Sequence, residues 1–198
     1  MENNPEIALA WQFIENTGTH LFLTGKAGTG KTTFLRKLRA ESPKRMIVLA
    51  PTGIAAINAG GVTIHSFFQL PFAPFIPDTT FNTEQKHFRF SKEKINIIRS
   101  MDLLIIDDLG IERSTEFALE QVFNVIDSRY RSKLPLIVTT NMTLEELKNP
   151  QDLTRSRIYD RVLERCVPLR INNQNIRQRN AAESMKEARK ILESGTGT

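Results

Sequence analysis

Gly25-Lys26-Ala27-Gly28-Thr29-Gly30-Lys31-Thr32 is the stretch that decides the fold. It satisfies the spacing G-x-x-x-x-G-K-[ST] in full. Ahead of it stands the apolar run Leu21-Phe22-Leu23. Behind it, residues 32–40 carry Phe34, Leu35 and Leu38 on one side and Arg36, Lys37 and Arg39 on the other. A buried strand, a glycine-rich turn and an amphipathic helix form the context in which this spacing binds phosphate. Glycines let successive N–H groups curl round phosphate oxygens, and the helix N-terminus adds the positive end of its dipole. The alternative, a glycine-rich turn with an exposed lysine, does not account for the flanking strand and helix. Gly25, Ala27, Gly28, Thr29, Gly30, Lys31, Thr32 and Thr33 are therefore candidate contacts for ATP. Lys31 is placed to reach the β- and γ-phosphates, and Thr32 to offer its hydroxyl to Mg²⁺.

Outward from this loop, apolar runs alternate with helical spacing. Residues 46–50 read as a second strand stopped by Pro51, and 53–59 as a short helix ended by Gly60-Gly61. Leu103-Leu104-Ile105-Ile106, residues 134–140 and residues 167–171 read as further strands. Ser91 caps a helix to about Ser100, and Ser114 or Thr115 opens another with Phe117, Leu119, Val122, Phe123 and Ile126 on its apolar face. A basic helix is expected over about 175–192. Continuously apolar strands joined by helices predict an α/β, three-layer P-loop NTPase sandwich, with a parallel sheet of about five strands covered on both faces. The expectation is one domain over 1–198, with a lead-in helix in 1–20, an irregular Pro- and Phe-rich insertion at 67–90, and a flexible tail at 194–198.

Composition narrows the function. The chain has 198 residues, and 27 Lys+Arg against 22 Asp+Glu give +5. A 40% hydrophobic, 25% charged composition is ordinary globular usage and argues against wholesale disorder. One cysteine, Cys166, excludes an internal disulfide and a cysteine-cluster zinc site, and His20, His65 and His87 are too scattered for a metal cage. The polar start at Met1 is not a secretory signal, and no apolar run approaches the roughly 18 residues of a membrane span. A soluble, cytoplasmic protein is expected.

Three further places carry chemistry. Asp107-Asp108 ends an apolar strand, where parallel sheets bind ligands. Asp107 is the candidate to hold Mg²⁺ through its water shell, and Asp108 the candidate to polarise the attacking water. The competing reading is a pair of solvated, helix-capping acids. Asn141, at the end of Thr139-Thr140-Asn141, either orients water between the acids and the γ-phosphate or caps the helix read at 143–147. The segment 155–190 holds ten basic residues against four acids, 10 − 4 = +6. Its arginines either reach a neighbouring subunit's nucleotide, bind nucleic acid, or form a solvated helical surface. The stretches 51–56 and 60–68 suit a phosphodiester backbone, with Phe67 or Phe68 stacking on a base or else packing in the core.

Two family resemblances divide the chain. GKAGTGKTT at 25–33, APTGIAA at 50–56 and GGVTIHSFF at 60–68 resemble the first motor domain of PIF-type superfamily-one DNA helicases, over about 21–107. LLIIDDLG at 103–110, LIVTTN at 136–141, SRIYDR at 156–161 and NIRQRNA at 175–181 resemble the AAA+ domain of DnaC/DnaI-type replicative helicase loaders, over about 103–192. Asp108 departs from the helicase pattern, which has Glu there. Neither a second motor domain nor the loader's helicase-gripping module is expected within these 198 residues. The two resemblances share one sheet plan, AAA+/RecA-like, so a chimera of them can close a single core. The loader resemblance implies an ATPase in DNA replication that binds single-stranded DNA, assembles head-to-tail and has a replicative helicase as partner. It also implies Arg157 as an arginine finger and Arg177, or alternatively Arg179, as the second sensor arginine. The alternatives are a truncated helicase motor and a nucleotide-dependent scaffold with negligible turnover.

Overall fold

The strands are β1 (Leu21–Thr24), β2 (Met46–Ala50), β3 (Val62–Thr63), β4 (Leu103–Ile106), β5 (Leu136–Thr140) and β6 (Val167–Arg170). They form one parallel sheet in the order β3-β2-β4-β5-β1-β6. The computed structural model describes residues 4–68, 92–110, 116–150, 153–172 and 185. Residues 69–90 of the insertion, the Ser91 cap, Ser114 and Thr115, the tail, and the helix over 175–192 with Arg177 and Arg179 lie outside them, apart from Met185.

The sheet interleaves the two segments that the family resemblances divide. β1 pairs on one side with β5 (Leu21 opposite Ile137) and on the other with β6 (Leu21 opposite Val167). The strand that feeds the phosphate loop is thus held between two strands of the C-terminal half. All six strands belong to this one sheet, with β1 of the N-terminal half inserted between β5 and β6.

The sheet has six strands rather than about five. The addition, β3, is two residues long and pairs with β2 through Leu49–Val62 and Ala50–Thr63. Gly60 ends the preceding helix at φ 68°, and a Cβ on Gly61 would collide with the Val48 carbonyl oxygen. The glycine pair lets the chain fold back onto the sheet edge.

Period-two alternation sends Leu21, Leu23, Leu103 and Ile105 to one face and Phe22, Leu104 and Ile106 to the other. The first face is covered by α1 (Pro5–Asn16), capped by the Asn4 side chain, by α2 (Lys31–Glu41) through Phe34, Leu35 and Leu38, and by α3 (Gly53–Ala59) through Ala59. The second is covered by α4 (Ile64–Phe68), α5 (Lys92–Ser100), α6 (Glu116–Arg131), α7 (Leu144–Lys148) and α8 (Leu153–Arg165). Phe67 and Phe68 lie in that second core, edge to face at 4.9 Å, so core packing is the reading that holds and base stacking is not. Among the described residues no helix is long and apolar enough to cross a membrane.

Two arginines brace the end of the sheet away from the phosphate loop. Arg129 is fully buried and donates to the carbonyls of Ile98 (2.9 Å), Met101 (3.0 Å) and Pro135 (2.7 Å). Burial pulls its pKa down to about 10. Arg45 grips Asp102 with two guanidinium bonds and its backbone N–H, and holds that carboxyl down at about 2. Cys166 is buried, which pushes its thiol up to about 12.

Candidate functional site

The strand order brings the chemistry together. β5 lies between β1 and β4, so Thr139 to Asn141 emerge between the glycine-rich loop and the two acids. Ile106 faces Val138 in the ladder, so Asp107 and Thr139 leave their strands side by side.

The loop is locked at both ends. The Ile171 N–H donates to the Thr24 carbonyl at 2.8 Å, and a Cβ on Gly25 would stand 2.5 Å from the Ile171 carbonyl oxygen. Only glycine fits there, because the obstacle is backbone. The Thr29 hydroxyl donates to the Lys26 carbonyl at 2.9 Å and shapes the loop from inside. Gly30 is the N-cap of α2 at φ 99° and makes no side-chain cap bond. The first turn of an eleven-residue helix therefore opens without a side-chain cap, an arrangement suited to anions. Lys31 is buried, and its Nζ donates to the carbonyls of Gly25 (2.5 Å) and Lys26 (3.2 Å) and to Asn141 Oδ1 (2.8 Å).

The acids are held by β5. Asp107 is buried and accepts the Thr139 hydroxyl at 2.6 Å. Burial pushes its carboxyl up from the ordinary range. The Thr139 bond opposes this, the neighbouring Asp108 charge adds to it, and Lys31 and a hydrogen bond from Thr32 also pull it down. Asp108 sits in the left-handed region at φ 64°, a conformation that costs a non-glycine residue about 1 kcal/mol or more and that Asp tolerates better than most. Its N–H donates to Thr139 Oγ1 at 3.0 Å, and its Oδ1 accepts from Asn141 Nδ2 at 2.6 Å. The Leu109 N–H donates to the Thr139 carbonyl (2.8 Å), and the Thr140 hydroxyl to the Leu109 carbonyl (2.6 Å). Thr143, not Asn141, caps α7, in a reciprocal box with Glu146.

These groups line a cleft of about 390 Å³. Ala27, Gly28, Gly30, Lys31, Thr32, Thr33, Asp107, Asp108 and Asn141 all face it. Gly25 and Thr29 instead frame the loop. Thr52, Ile54, Ala55 and Asn58 of the α3 segment line it as well; the sequence reading gave the first three to DNA and did not single out Asn58. Their signal was the N-cap Thr52 directly after β2, at the same sheet edge. Arg157 stands elsewhere. It is exposed on α8, in the layer opposite α2, with its guanidinium 4.9 Å from the Phe123 ring centroid. Two other arginines are committed structurally. Arg161 pairs with Asp127 and Glu164, and Arg165 lies over Tyr130 at 3.8 Å and pairs with Glu164.

The cleft fits a magnesium ion carried by a nucleotide. Thr32 and Asp107 both line it and supply two hard oxygen donors. Mg²⁺ takes one or two such protein oxygens and completes its shell with phosphate and water. Among the described residues no group of three or more His, Cys, Asp or Glu forms an all-protein cage.

Residues 7–136 match the PIF1-like helicase family. The chain belongs to that family. This PIF1-like chain is 37% identical over 112 residues to the ATP-dependent DNA helicase Pif1 of Bdellovibrio bacteriovorus, covering 56% of this chain and 24% of that protein. It is 24% identical over 174 residues to the replicative helicase loader DnaI of Bacillus subtilis, covering 81% of this chain and 48% of the loader. A crystal structure of Pif1 helicase from Bacteroides, in complex with ADP-AlF3 and single-stranded DNA, superposes with a TM-score of 0.58 at 32% identity, over 87% of this chain and 42% of that one. The crystal structure of DnaI shares the fold at a TM-score of 0.55 and 22% identity, over 86% and 81%. The PIF1-like chain thus spans about a quarter of the Bdellovibrio helicase and about half of the loader. Both likenesses reach beyond the motifs that mark them, and they overlap through the sheet that the two halves share.

Proposed function

We propose that this chain binds ATP with Mg²⁺ in the cleft and hydrolyses it, as a cytoplasmic, helicase-loader-like ATPase that acts in DNA replication on single-stranded DNA. The observation that carries the reading is one continuous line of bonds, from Lys31 through Asn141 to Asp108, beneath the uncapped start of α2. The loop amides and Lys31 bind the phosphates, while Thr32 and Asp107 hold the metal. An ion held there would supply positive charge to the phosphates. Asp108 polarises the attacking water and accepts its proton, and Asn141 orients both water and γ-phosphate. Arg157 from a neighbouring copy completes the site, and Arg177 is the second sensor arginine. The replicative helicase is the partner that the likeness to DnaI supports.

A second reading, a motor domain of a PIF1-like helicase, is favoured by the match over residues 7–136. No unwinding of duplex DNA by the 198-residue chain alone is expected on either reading, since translocation needs two motor domains. ATP-dependent strand displacement by it would overturn the single-motor reading.

The test of the nucleotide site is a titration with a fluorescent ATP analogue in Mg²⁺. Lys31→Ala removes charge-assisted bonds worth about 1.5–3 kcal/mol, so affinity should fall roughly 10- to 100-fold while circular dichroism is unchanged. Equal affinity in both proteins defeats the proposal.

A further inference from the structure

We propose that Thr139 is the positioning residue of this site: its one hydroxyl sets the Asp107 carboxylate and the turn that aims Asp108. The inference rests on the nucleotide reading of the same cleft.

A threonine hydroxyl has one proton to give and two lone pairs to offer. Here the proton goes to Asp107 Oδ1 at 2.6 Å, and a lone pair receives the Asp108 N–H at 3.0 Å. Both partners lie on the segment leaving β4, 31 and 32 residues away in sequence. The side chain is fully buried in β5, between Val138 and Thr140, which are buried as well. Valine has nearly the same shape and an equal liking for strands, and the β5 ladder is made by backbone groups. A hydroxyl in that setting costs free energy unless it is used, and this one is used on the two acids. Its grip on the Asp108 N–H helps fix a left-handed residue from which the carboxylate meets Asn141 Nδ2. Without it, Asp107 can turn its carboxylate away from Thr32, and the Asp108 turn loses one of its ties to β5. The plain alternative is that Thr139 fills space and satisfies a buried N–H, with no bearing on the chemistry.

Four proteins distinguish these: wild type, Thr139→Val, Thr139→Ser and Thr139→Ala. Affinity for a fluorescent ATP analogue is measured in EDTA and across a Mg²⁺ series, together with kcat and KM and, on nucleotide-free protein, hydrogen exchange at the Asp108 amide. The expected result for Thr139→Val is unchanged affinity in EDTA and a Mg²⁺ half-point raised roughly 10- to 100-fold, as when a hydrogen-bond partner of a metal ligand is lost. kcat should drop about tenfold or more, the Asp108 amide should exchange faster, and Thr139→Ser should restore every measure. If Thr139→Val does not melt cooperatively, the Ser and Ala pair, which differ only in the hydroxyl, should show the same gap. The inference is overturned if Thr139→Val keeps the wild-type Mg²⁺ half-point and kcat, or if Ser is as impaired as Ala. Wild type that binds no ATP removes the nucleotide reading and this inference together. Mg²⁺-dependent binding that is equal in wild type and Thr139→Val removes the inference alone.

Discussion

Asn141 joins Lys31 to Asp108 through one amide: its Oδ1 accepts from the Lys31 ammonium at 2.8 Å and its Nδ2 donates to Asp108 Oδ1 at 2.6 Å. The orientation of that amide is fixed by its partners, since an ammonium can only donate and a carboxylate can only accept. Lys31 and Asp108, proposed above to face the phosphates and the attacking water, are therefore linked through one side chain. A γ-phosphate that draws Lys31 toward itself would loosen one side of the amide and change the hold on Asp108.

Asn141→Ala should separate binding from turnover. The loop amides and Lys31 remain, so ATP affinity should change less than about threefold. Loss of the group that orients the water should lower kcat on the order of 10², the usual effect of removing one oriented polar group at a reacting centre. Steady-state kinetics beside equilibrium binding decides it, and a parallel loss of affinity and rate would sink the idea.

Asp107→Asn should stabilise the nucleotide-free protein at neutral pH. Burial raises the folded-state pKa of Asp107 above its unfolded value. Such a group favours the fold while it is protonated, and that contribution is lost as pH rises through the folded pKa. An amide escapes the loss. The variant should melt a few degrees higher near pH 7. The gain should shrink toward zero as pH approaches the ordinary carboxylate range, about pH 4. Melting curves across that range, without metal or nucleotide, check the sign. A variant less stable at pH 7 contradicts it.

How legible the site was depended on whether its parts are neighbours in sequence. The glycine loop, Asp107-Asp108 and Asn141 could be read because each follows an apolar strand, and a parallel sheet gathers strand ends at one edge. Thr139 was passed over because its meaning lies in register, one rung beyond Ile106–Val138, which no local pattern displays. β3 escaped because two residues with a half-exposed Val62 have no strand signature, and the glycine pair before them read as an end and not a return. The helix over 153–165 was obscured by its arginines, although Ile158, Tyr159 and Val162 carry helical spacing and are buried. Phe67 and Phe68 stayed ambiguous because an aromatic pair after a glycine turn looks the same whether it faces a core or a base.

Single-stranded DNA should bind weakly and respond to salt. Thr52 caps α3 and Thr63 accepts the Ser66 N–H, and each hydroxyl, an acceptor in these bonds, keeps a proton to donate to a phosphate, with His65 close by in sequence. Charge adds to them. Between residues 155 and 171 there are five arginines and two acids, 5 − 2 = +3, with Arg157 and Arg170 exposed. If phosphate contacts dominate, log affinity should fall linearly with log salt by roughly 0.7 per contact. Fluorescence anisotropy on an oligothymidine across a salt series measures the slope, and a flat line would count against the charge argument.

Efficient hydrolysis should need two copies side by side, with Arg157 of one reaching the nucleotide of the next. On the proposed reading, Lys31, Thr32, Asp107, Asp108 and Asn141 of one copy serve the phosphates, the metal and the water. They supply no second cation for the charge that develops on the γ-phosphoryl oxygens, a role worth about 10³–10⁵ in rate where an arginine finger fills it. Arg157 is not among the groups lining its own cleft, and it lies on α8 in the layer opposite α2. A contact that brings it to a cleft is therefore between copies and head-to-tail, closing a ring or winding a filament. The competing role is its place over Phe123, a cation–π contact worth about 0.5–1 kcal/mol at an exposed site. Pairing with Asp160 within α8, or with Asp152, which lies outside the described residues, is a further alternative, although the Asp160 carboxylate already accepts the Ser156 hydroxyl at 3.3 Å. Mixing separates the readings. Arg157→Ala and Lys31→Ala should each be nearly inactive, yet their mixture should regain activity at interfaces that join an intact cleft to an intact arginine. Specific activity of the wild type should also rise with protein concentration. A mixture as inactive as its components, or activity indifferent to concentration, would return Arg157 to the surface of α8 as a cover for Phe123.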